Sequence, residues 1–307
     1  MKPTVLLTRK IPASVIHRLE EVADVERIDA AGDTYGELIA RIAGKQALLS
    51  MVTDRVDSAV IAAADGLKVI ANVGVGYNNI DVAAARGRGI VVTNTPDVLT
   101  SATADFTWAL ILAATRRLGE GERLVRRGDW NGWAFDQLLG MELRGRQLGI
   151  IGYGRIGRAV AERAAVFGMR VVHSGRDAEA IAIDRLLSTS DIVSLHVPLR
   201  DDTRHLIDQA ALARMKRSAY LVNTSRGPVV DEAALVWALK NRIISGAALD
   251  VYEREPEIQK ELLSFENVVL APHLGSATTE TRTAMADLAA RNAIAVLAGD
   301  PPITPVP

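Results

Sequence analysis

The sequence predicts an α/β protein made of two doubly wound parallel-sheet domains, and three observations carry that prediction. The chain has 307 residues, about twice the ~150 that a typical domain takes. Short apolar runs alternate with helix-length amphipathic stretches almost from end to end, as expected of strands covered by helices on both faces. The alternation breaks once, near Pro96, and then resumes as a second series. Apolar residues make up 49% and charged residues 24% of the chain, an ordinary globular composition that excludes a disordered chain or a coiled coil. No repeat of roughly 20–50 residues is visible, which excludes a solenoid.

In the first series, Val5–Leu7, Val25–Ile28, Ala47–Met51, Val69–Asn72 and Ile90–Thr93 read as buried strands. Between them, Pro12–Val22, Tyr35–Ala43, Asp57–Ala63 and Asp81–Arg88 have helical spacing, with Pro12 suited to a first turn. One long helical pattern follows through Ala102–Arg127. The second series places strands at Gln147–Ile151, Arg170–Ser174, Ile192–Leu195, Ala219–Asn223, Ala247–Asp250 and Val268–Ala271. Six strands match the size of a full dinucleotide-binding sheet. A final helix spans Thr278–Ala298, and Pro301, Pro302 and Pro305 end the regular structure.

Lys and Arg total 36 against 37 Asp and Glu, so no global field draws the chain to nucleic acid or to an anionic membrane. Cys is absent, which excludes disulfides, thiolate nucleophiles and Cys-ligated metal centres. The longest apolar runs, such as Trp108–Ala114, fall far short of a membrane span. The N-terminal stretch has too small an apolar core for a signal peptide, and a cytoplasmic location is expected. Asp202 and His205 lie close together in a polar loop, but no further ligand motif accompanies them, and no metal site is expected.

Ile150-Ile151-Gly152-Tyr153-Gly154-Arg155-Ile156-Gly157 ends a strand and opens a helix. The first glycine permits a tight turn, the second lets a pyrophosphate approach the backbone, and the third lets helix and strand pack closely. The helix N-terminus adds amide donors and partial positive charge. The spacing to the next strand also fits, so dinucleotide binding is expected here. A second loop, Gly74-Val75-Gly76-Tyr77-Asn78-Asn79, has Asn at its third position and no helix at once after it. It is a poor dinucleotide match, although its amides could hold a small anion such as a carboxylate.

An NAD site calls for an acidic residue roughly 20 residues past the loop, on the ribose 2′-hydroxyl. After Val171-Val172-His173 the chain reads Ser174-Gly175-Arg176, with no carboxylate expected at the tip. Arg176 and Ser174 could instead meet a 2′-phosphate, so NADP is favoured over NAD.

His196 and His273 each follow a buried strand and stand beside a proline. Ligands of open α/β sheets bind beyond the carboxyl ends of strands, so both are candidates for a proton donor, and local sequence does not separate them. Arg226 follows another strand, and Asp250 and the carboxylates Glu253, Glu255 and Glu257 follow a third. Arg, Glu and His at neighbouring strand ends suit a 2-oxo acid. The Arg would grip the carboxylate and polarise the carbonyl, the His would donate a proton, and the Glu would keep the His protonated. On that reading, reduction fades at alkaline pH.

Together the motifs resemble the D-isomer-specific 2-hydroxyacid dehydrogenase family. The residues that carry the resemblance are NVGVGYNNID (72–81), SATADFTWALIL (101–112), GYGRIG (152–157), LHVPL (195–199), NTSRGPVVDE (223–232), ALDVYEREP (248–256) and APHLGSATTETR (271–282). The resemblance implies Arg226, Glu255 and His273 as the catalytic trio. It implies cofactor contacts from Thr103, Gly152 through Gly157, Ser174, Arg176, His196, Val197, Pro198, Thr203, Thr224, Ser225, Asp250, His273 and Gly275. Val73 and Gly74, with Arg226 and His273, would bind the substrate.

The resemblance also implies a Rossmann cofactor domain, about 99–283, inserted into a flavodoxin-like substrate domain of about 1–98 plus 284–307. It implies a cleft that closes on both ligands, and a homodimer formed near Arg126–Phe135. Glu255 is similar to the partner in hydroxy-acid enzymes, whereas formate dehydrogenases of the family carry Gln. Ser174-Gly175-Arg176 and the pair Trp130/Trp133 resemble NADPH-preferring glyoxylate/hydroxypyruvate reductases. A reductase of longer 2-oxo sugar acids such as 2-ketogluconate is the alternative within the class. A non-catalytic dinucleotide-sensing binding protein is the alternative outside it.

Overall fold

Parallel strands buried on both faces need apolar side chains at successive positions, and the sheets of this protein are built from such runs. The computed structural model describes residues 2–28, 34–175 and 177–307. They form two units, one of residues 1–99 and 278–307, the other of 100–277.

The first unit contains β1 (Thr4–Leu7), α1 (Ala13–Val22), β2 (Asp24–Arg27), α2 (Tyr35–Arg41), β3 (Ala47–Met51), α3 (Ser58–Ala63), β4 (Val69–Val73), α4 (Val82–Gly87), β5 (Val91–Thr93) and, from the far end of the chain, α11 (Thr279–Ala298). Its sheet is wholly parallel, in the order β2-β1-β3-β4-β5. Leu6, Leu48, Ile70 and Val92 face α2, α3 and α4 in one cluster. Helix α11 packs against α1, β3 and β4. The expected boundary at 283/284 falls inside α11. The whole helix belongs to the first unit, because Thr278 caps it by accepting the Thr281 amide.

The second unit contains α5 (Thr100–Thr115), α6 (Leu118–Arg126), β6 (Gln147–Ile151), α7 (Arg155–Ala164), β7 (Arg170–Ser174), α8 (Ile183–Thr189), β8 (Ile192–Leu195), α9 (Gln209–Arg214), β9 (Tyr220–Asn223), α10 (Glu232–Lys240), β10 (Gly246–Leu249) and β11 (Val268–Leu270). Its parallel sheet runs β11-β10-β9-β8-β6-β7. Side chains alternate between two cores, as the period of two requires. Val193, Leu221 and Ala247 face α8, α9 and α10, while Ile192, Val222 and Ala248 face α5 and α7. The strand order reverses between β6 and β8, and such a switch point opens a crevice at the carboxyl ends of the strands.

The long helix expected over 102–127 is two helices. Arg117 sits in the left-handed region at φ +53°, and the Thr115 carbonyl, which the next turn would use, accepts the Met141 amide at 2.8 Å. The Arg117 guanidinium is held by Glu120 through two bonds of 2.8 Å. Among the described residues, no helix is long and apolar enough to cross a membrane.

The C-terminal segment is pinned to α11 by Asn292. Its Oδ1 accepts the Ile303 and Thr304 amides at 2.9 Å each, and its Nδ2 donates to Thr304 Oγ1 at 2.8 Å. Asn292→Ala is expected to lower stability by about 1–3 kcal/mol, because two backbone amides lose their acceptor. Urea unfolding, with the midpoint shifted and the slope unchanged, is the measurement.

Candidate active site

The carboxyl ends of the strands in the second unit carry nearly all the residues singled out in that part of the sequence. After β6, the chain turns at Gly152 (φ +96°). A Cβ there would stand 2.6 Å from the His196 carbonyl carbon, so only glycine lets the β6 and β8 ends meet this closely. A Cβ at Gly157 would overlap the Gly152 carbonyl oxygen, whereas one at Gly154 would meet open space. Gly154 caps α7, whose first residues are Arg155 and Ile156. Tight packing behind the loop and an open face before a helix N-terminus fit a dinucleotide pyrophosphate.

Ser174 closes β7, and its carbonyl accepts the Gly152 amide at 3.2 Å. Arg176 lies outside the described residues. The absence of a carboxylate at this tip needs correction. Asp177 follows Arg176 and folds back, so that its Oδ1 lies 2.7 Å from His173 Nε2. The His173 hydrogen bond holds the Asp177 carboxyl below its ordinary value. His173 in turn stacks on Tyr153, with ring centroids 3.7 Å apart.

Beyond β8, His196 Nε2 is 2.9 Å from Ser194 Oγ. Burial pushes its pKa down to about 3, so the ring is neutral across the physiological range. Val197 packs beside Gly152, and the loop folds back through Thr203 Oγ1, which donates to the Pro198 carbonyl at 2.7 Å. Beyond β9, the Ser225 amide and hydroxyl both donate to Asn223 Oδ1, and Thr224 Oγ1 pairs with Thr107 Oγ1 at 2.9 Å. Thr107 had no signal in the sequence beyond its place one turn after Thr103.

Asp250 lies just past β10 and is buried. Its carboxylate accepts the Leu274 amide at 2.6 Å and the Gly275 amide at 2.8 Å, and its carbonyl accepts the His273 amide at 2.9 Å. Gly275 packs on Thr103 of α5. These bonds hold His273 in the left-handed region at φ +55°, a conformation that costs energy without glycine and persists where the surroundings impose it. His273 Nδ1 is then 2.9 Å from Glu255 Oε2, and Glu255 Oε1 accepts the Tyr252 amide at 3.0 Å.

Burial by itself would raise Glu255, but the His273 hydrogen bond and charge, the Tyr252 amide and the Arg226 charge outweigh it and hold the carboxyl below 4.5. For Asp250, burial wins over its two amide donors and raises the carboxyl above 3.8. Burial also lowers the Arg226 guanidinium below its ordinary value, against the pull of Glu255.

Arg226 is positioned by its own loop. A Cβ on Gly227 would overlap the Tyr252 carbonyl, so the β9 and β10 loops touch backbone to backbone. Behind them, His205 donates its amide to the Pro228 carbonyl at 2.8 Å and its Nε2 to Glu253 Oε1 at 2.7 Å, while the Glu253 amide donates to Glu232 Oε1 at 2.7 Å. His205 therefore braces the site from behind, a role that a polar-loop histidine does not advertise. In the first unit, the Gly74 amide donates to the Asn72 carbonyl at 3.0 Å, and the Thr95 amide to the Gly74 carbonyl at 2.9 Å. Val73 is the last residue of β4.

A family model described as "D-isomer specific 2-hydroxyacid dehydrogenase, NAD binding domain" matches residues 108–275. The glyoxylate reductase of Thermococcus onnurineus is 47% identical over 319 residues, spanning 99% of this chain and 96% of that protein. The crystal structure of the TT0316 protein from Thermus thermophilus is similar at a TM-score of 0.94 and 45% identity, over 99% of this chain and all of that one. An NADPH-dependent glyoxylate/hydroxypyruvate reductase from Sinorhizobium meliloti, solved with NADP and malonate, is similar at a TM-score of 0.89 and 36% identity, over 100% of this chain and 97% of that one. The chain therefore belongs to the D-isomer-specific 2-hydroxyacid dehydrogenase family. It is an NAD(P)-dependent dehydrogenase, and the second unit carries its dinucleotide-binding fold.

With its pKa held low, Glu255 binds fewer protons in the folded chain than in the unfolded one. The stability it contributes is full above about pH 4.5 and drains away as the pH falls through the lowered value. The raised Asp250 has the opposite sign, costing stability as the pH climbs past 3.8. Glu255→Gln is expected to flatten the acid limb of the stability–pH curve between about pH 5 and 3. Urea midpoints across that range read the effect, and an unchanged limb would contradict the ion pair.

Proposed function

We propose that the enzyme reduces small 2-oxo acids, glyoxylate first and hydroxypyruvate second, to glycolate and D-glycerate, with NADPH preferred over NADH. The observation that carries this reading is the 2.9 Å bond between His273 Nδ1 and Glu255. It commits one ring nitrogen to a carboxylate and leaves Nε2 for the substrate. The glyoxylate reductase of Thermococcus onnurineus and the NADPH-dependent reductase of Sinorhizobium meliloti support the choice of substrates and cofactor.

Arg226 binds the substrate carboxylate and polarises the 2-oxo group with its planar fork of donors. His273 Nε2 delivers a proton to the carbonyl oxygen as negative charge develops there, and Glu255 stabilises the imidazolium that holds that proton. NADPH, when bound, supplies the hydride that the carbonyl carbon receives. Held neutral by burial, His196 does not compete as the acid and serves with Val197, Pro198 and Thr203 at the cofactor. Asp250 sets the turn on which His273 stands. Thr103, Thr224, Ser225 and Gly275 line the same strand ends, and Ser174 and Arg176 receive the 2′-phosphate.

The test is a panel of 2-oxo acids with NADPH and with NADH, run on the parent enzyme and on His273→Ala. Glyoxylate with NADPH is expected to give the highest kcat/KM, and His273→Ala to lower kcat by about 10²–10⁴. A higher kcat/KM for a longer 2-oxo sugar acid would overturn the substrate, and nearly normal turnover of the variant would remove His273 from its role.

We further propose a homodimer formed through α6 and the segment after it. Leu118, Val125, Trp130, Trp133, Phe135 and Leu139 are all more than half exposed there, Phe135 by 84%. So many large apolar side chains on one stretch mark an association surface. Light scattering is expected to give twice the 33.0 kDa chain mass. Replacing Trp133 and Phe135 together by Ser is expected to shift the equilibrium towards monomer, and a monomeric parent protein would refute the proposal.

A further inference from the structure

Among the described residues, a titratable pair that the mechanism leaves unused stands at the end of β7, beyond which the ribose is expected. His173 is the penultimate residue of β7 and is only 7% exposed. Its ring lies flat on Tyr153 of the glycine loop, at 13° between planes. Tyr153 is itself covered by the Arg158 guanidinium at 5.6 Å. Stacked in this way, the imidazole directs its Nε2 at Asp177 Oδ1, to which it donates at 2.7 Å. The same oxygen accepts the Glu179 amide at 3.2 Å. Gly175 lies under this contact, where a Cβ would meet Tyr153 Cβ at 3.5 Å and Asp177 Oδ2 at 3.6 Å, both ordinary van der Waals distances.

In dinucleotide-binding sheets an acidic side chain beyond the second strand accepts the ribose 2′-hydroxyl, and the same charge repels a 2′-phosphate. Asp177 is an acid of that kind in this chain, but one of its oxygens is already committed to His173 and Glu179.

We propose that His173 is a specificity-determining positioning residue. Clamped on Tyr153, it ties Asp177 down and keeps that carboxylate from the adenosine ribose, so that a 2′-phosphorylated dinucleotide is accepted. The inference deepens the NADPH preference proposed above and rests on it.

The test uses calorimetric binding of adenosine 2′,5′-bisphosphate and of AMP to the full chain, which needs neither substrate nor turnover. His173→Phe keeps an aromatic ring on Tyr153 and removes the donor. It is expected to weaken bisphosphate binding by about five- to twentyfold, the effect of one released charge at a partly exposed site, with AMP changed less than about twofold. Adding Asp177→Asn to that variant is expected to restore bisphosphate affinity, and His173→Gln, which keeps a donor, to stay close to the parent. Asp177→Glu leaves His173 intact and carries the carboxylate one methylene further, and it is expected to shift the preference in the same direction as His173→Phe. Equal weakening of both ligands, or no rescue by Asp177→Asn, would overturn the role of His173. A parent protein that binds the two ligands equally would instead defeat the NADPH preference, while the change in ratio between variants would still read the His173–Asp177 coupling.

Discussion

The candidate site depends on the capture of one buried carboxylate. Asp250 lies buried just past β10, and a buried carboxylate is tolerated only when hydrogen bonds replace its hydration. The Leu274 and Gly275 amides do so, and the Asp250 carbonyl takes the His273 amide as well. The turn after β11 is thereby wound backwards at His273, which aims the imidazole at Glu255. Glu255 is set by the Tyr252 amide, and the Tyr252 hydroxyl donates to the Ala271 carbonyl at 2.9 Å. The chain of bonds thus returns to the residue just beyond β11. Each member is positioned by the next, so the geometry is cooperative rather than a sum of separate contacts.

Burial divides the two strand-end histidines by the company each keeps. His196 has a hydroxyl for a partner and loses its proton affinity to desolvation. His273 has a carboxylate, itself held ionised by the imidazole and by Arg226. Burial takes some proton affinity from Arg226, and a guanidinium keeps its charge in proteins. In the reduction proposed above, a fixed cation and a supported imidazole would act on developing charge without reorganising at the moment of reaction.

Much of the fold was legible because parallel strands are short, apolar and bounded by caps. The runs at 47–51, 147–151, 170–174 and 192–195 coincide with β3, β6, β7 and β8, and the others lie within a residue or two. Asp57, Asp81, Asp208, Asp231 and Thr278 all accept an amide at a helix start. The break at Arg117 was not legible, since the Thr115 carbonyl is taken by the Met141 amide, 26 residues beyond Thr115. The two histidines could not be ranked locally, because what separates them is a partner 18 residues upstream of His273 and the burial of His196. Asp177 was in plain view as a letter, but nothing in the spacing shows that its side chain turns back onto β7. The brace of His205, Glu253 and Glu232 joins two loops and the start of α10, which are adjacent only once the sheet exists.

Helix α11 has a consequence for how the chain is made. It covers β3 and β4 of the first unit, yet it leaves the ribosome after the entire stretch from Thr100 to Ala277. At about 5–20 residues per second, that stretch takes roughly 10–40 s to synthesise. During this interval the nascent five-stranded sheet lacks one of its covers, while the intervening stretch is contiguous and can complete its own core. The later unit is thus free to finish first, while the earlier one waits with an apolar face open until α11 emerges to cover it.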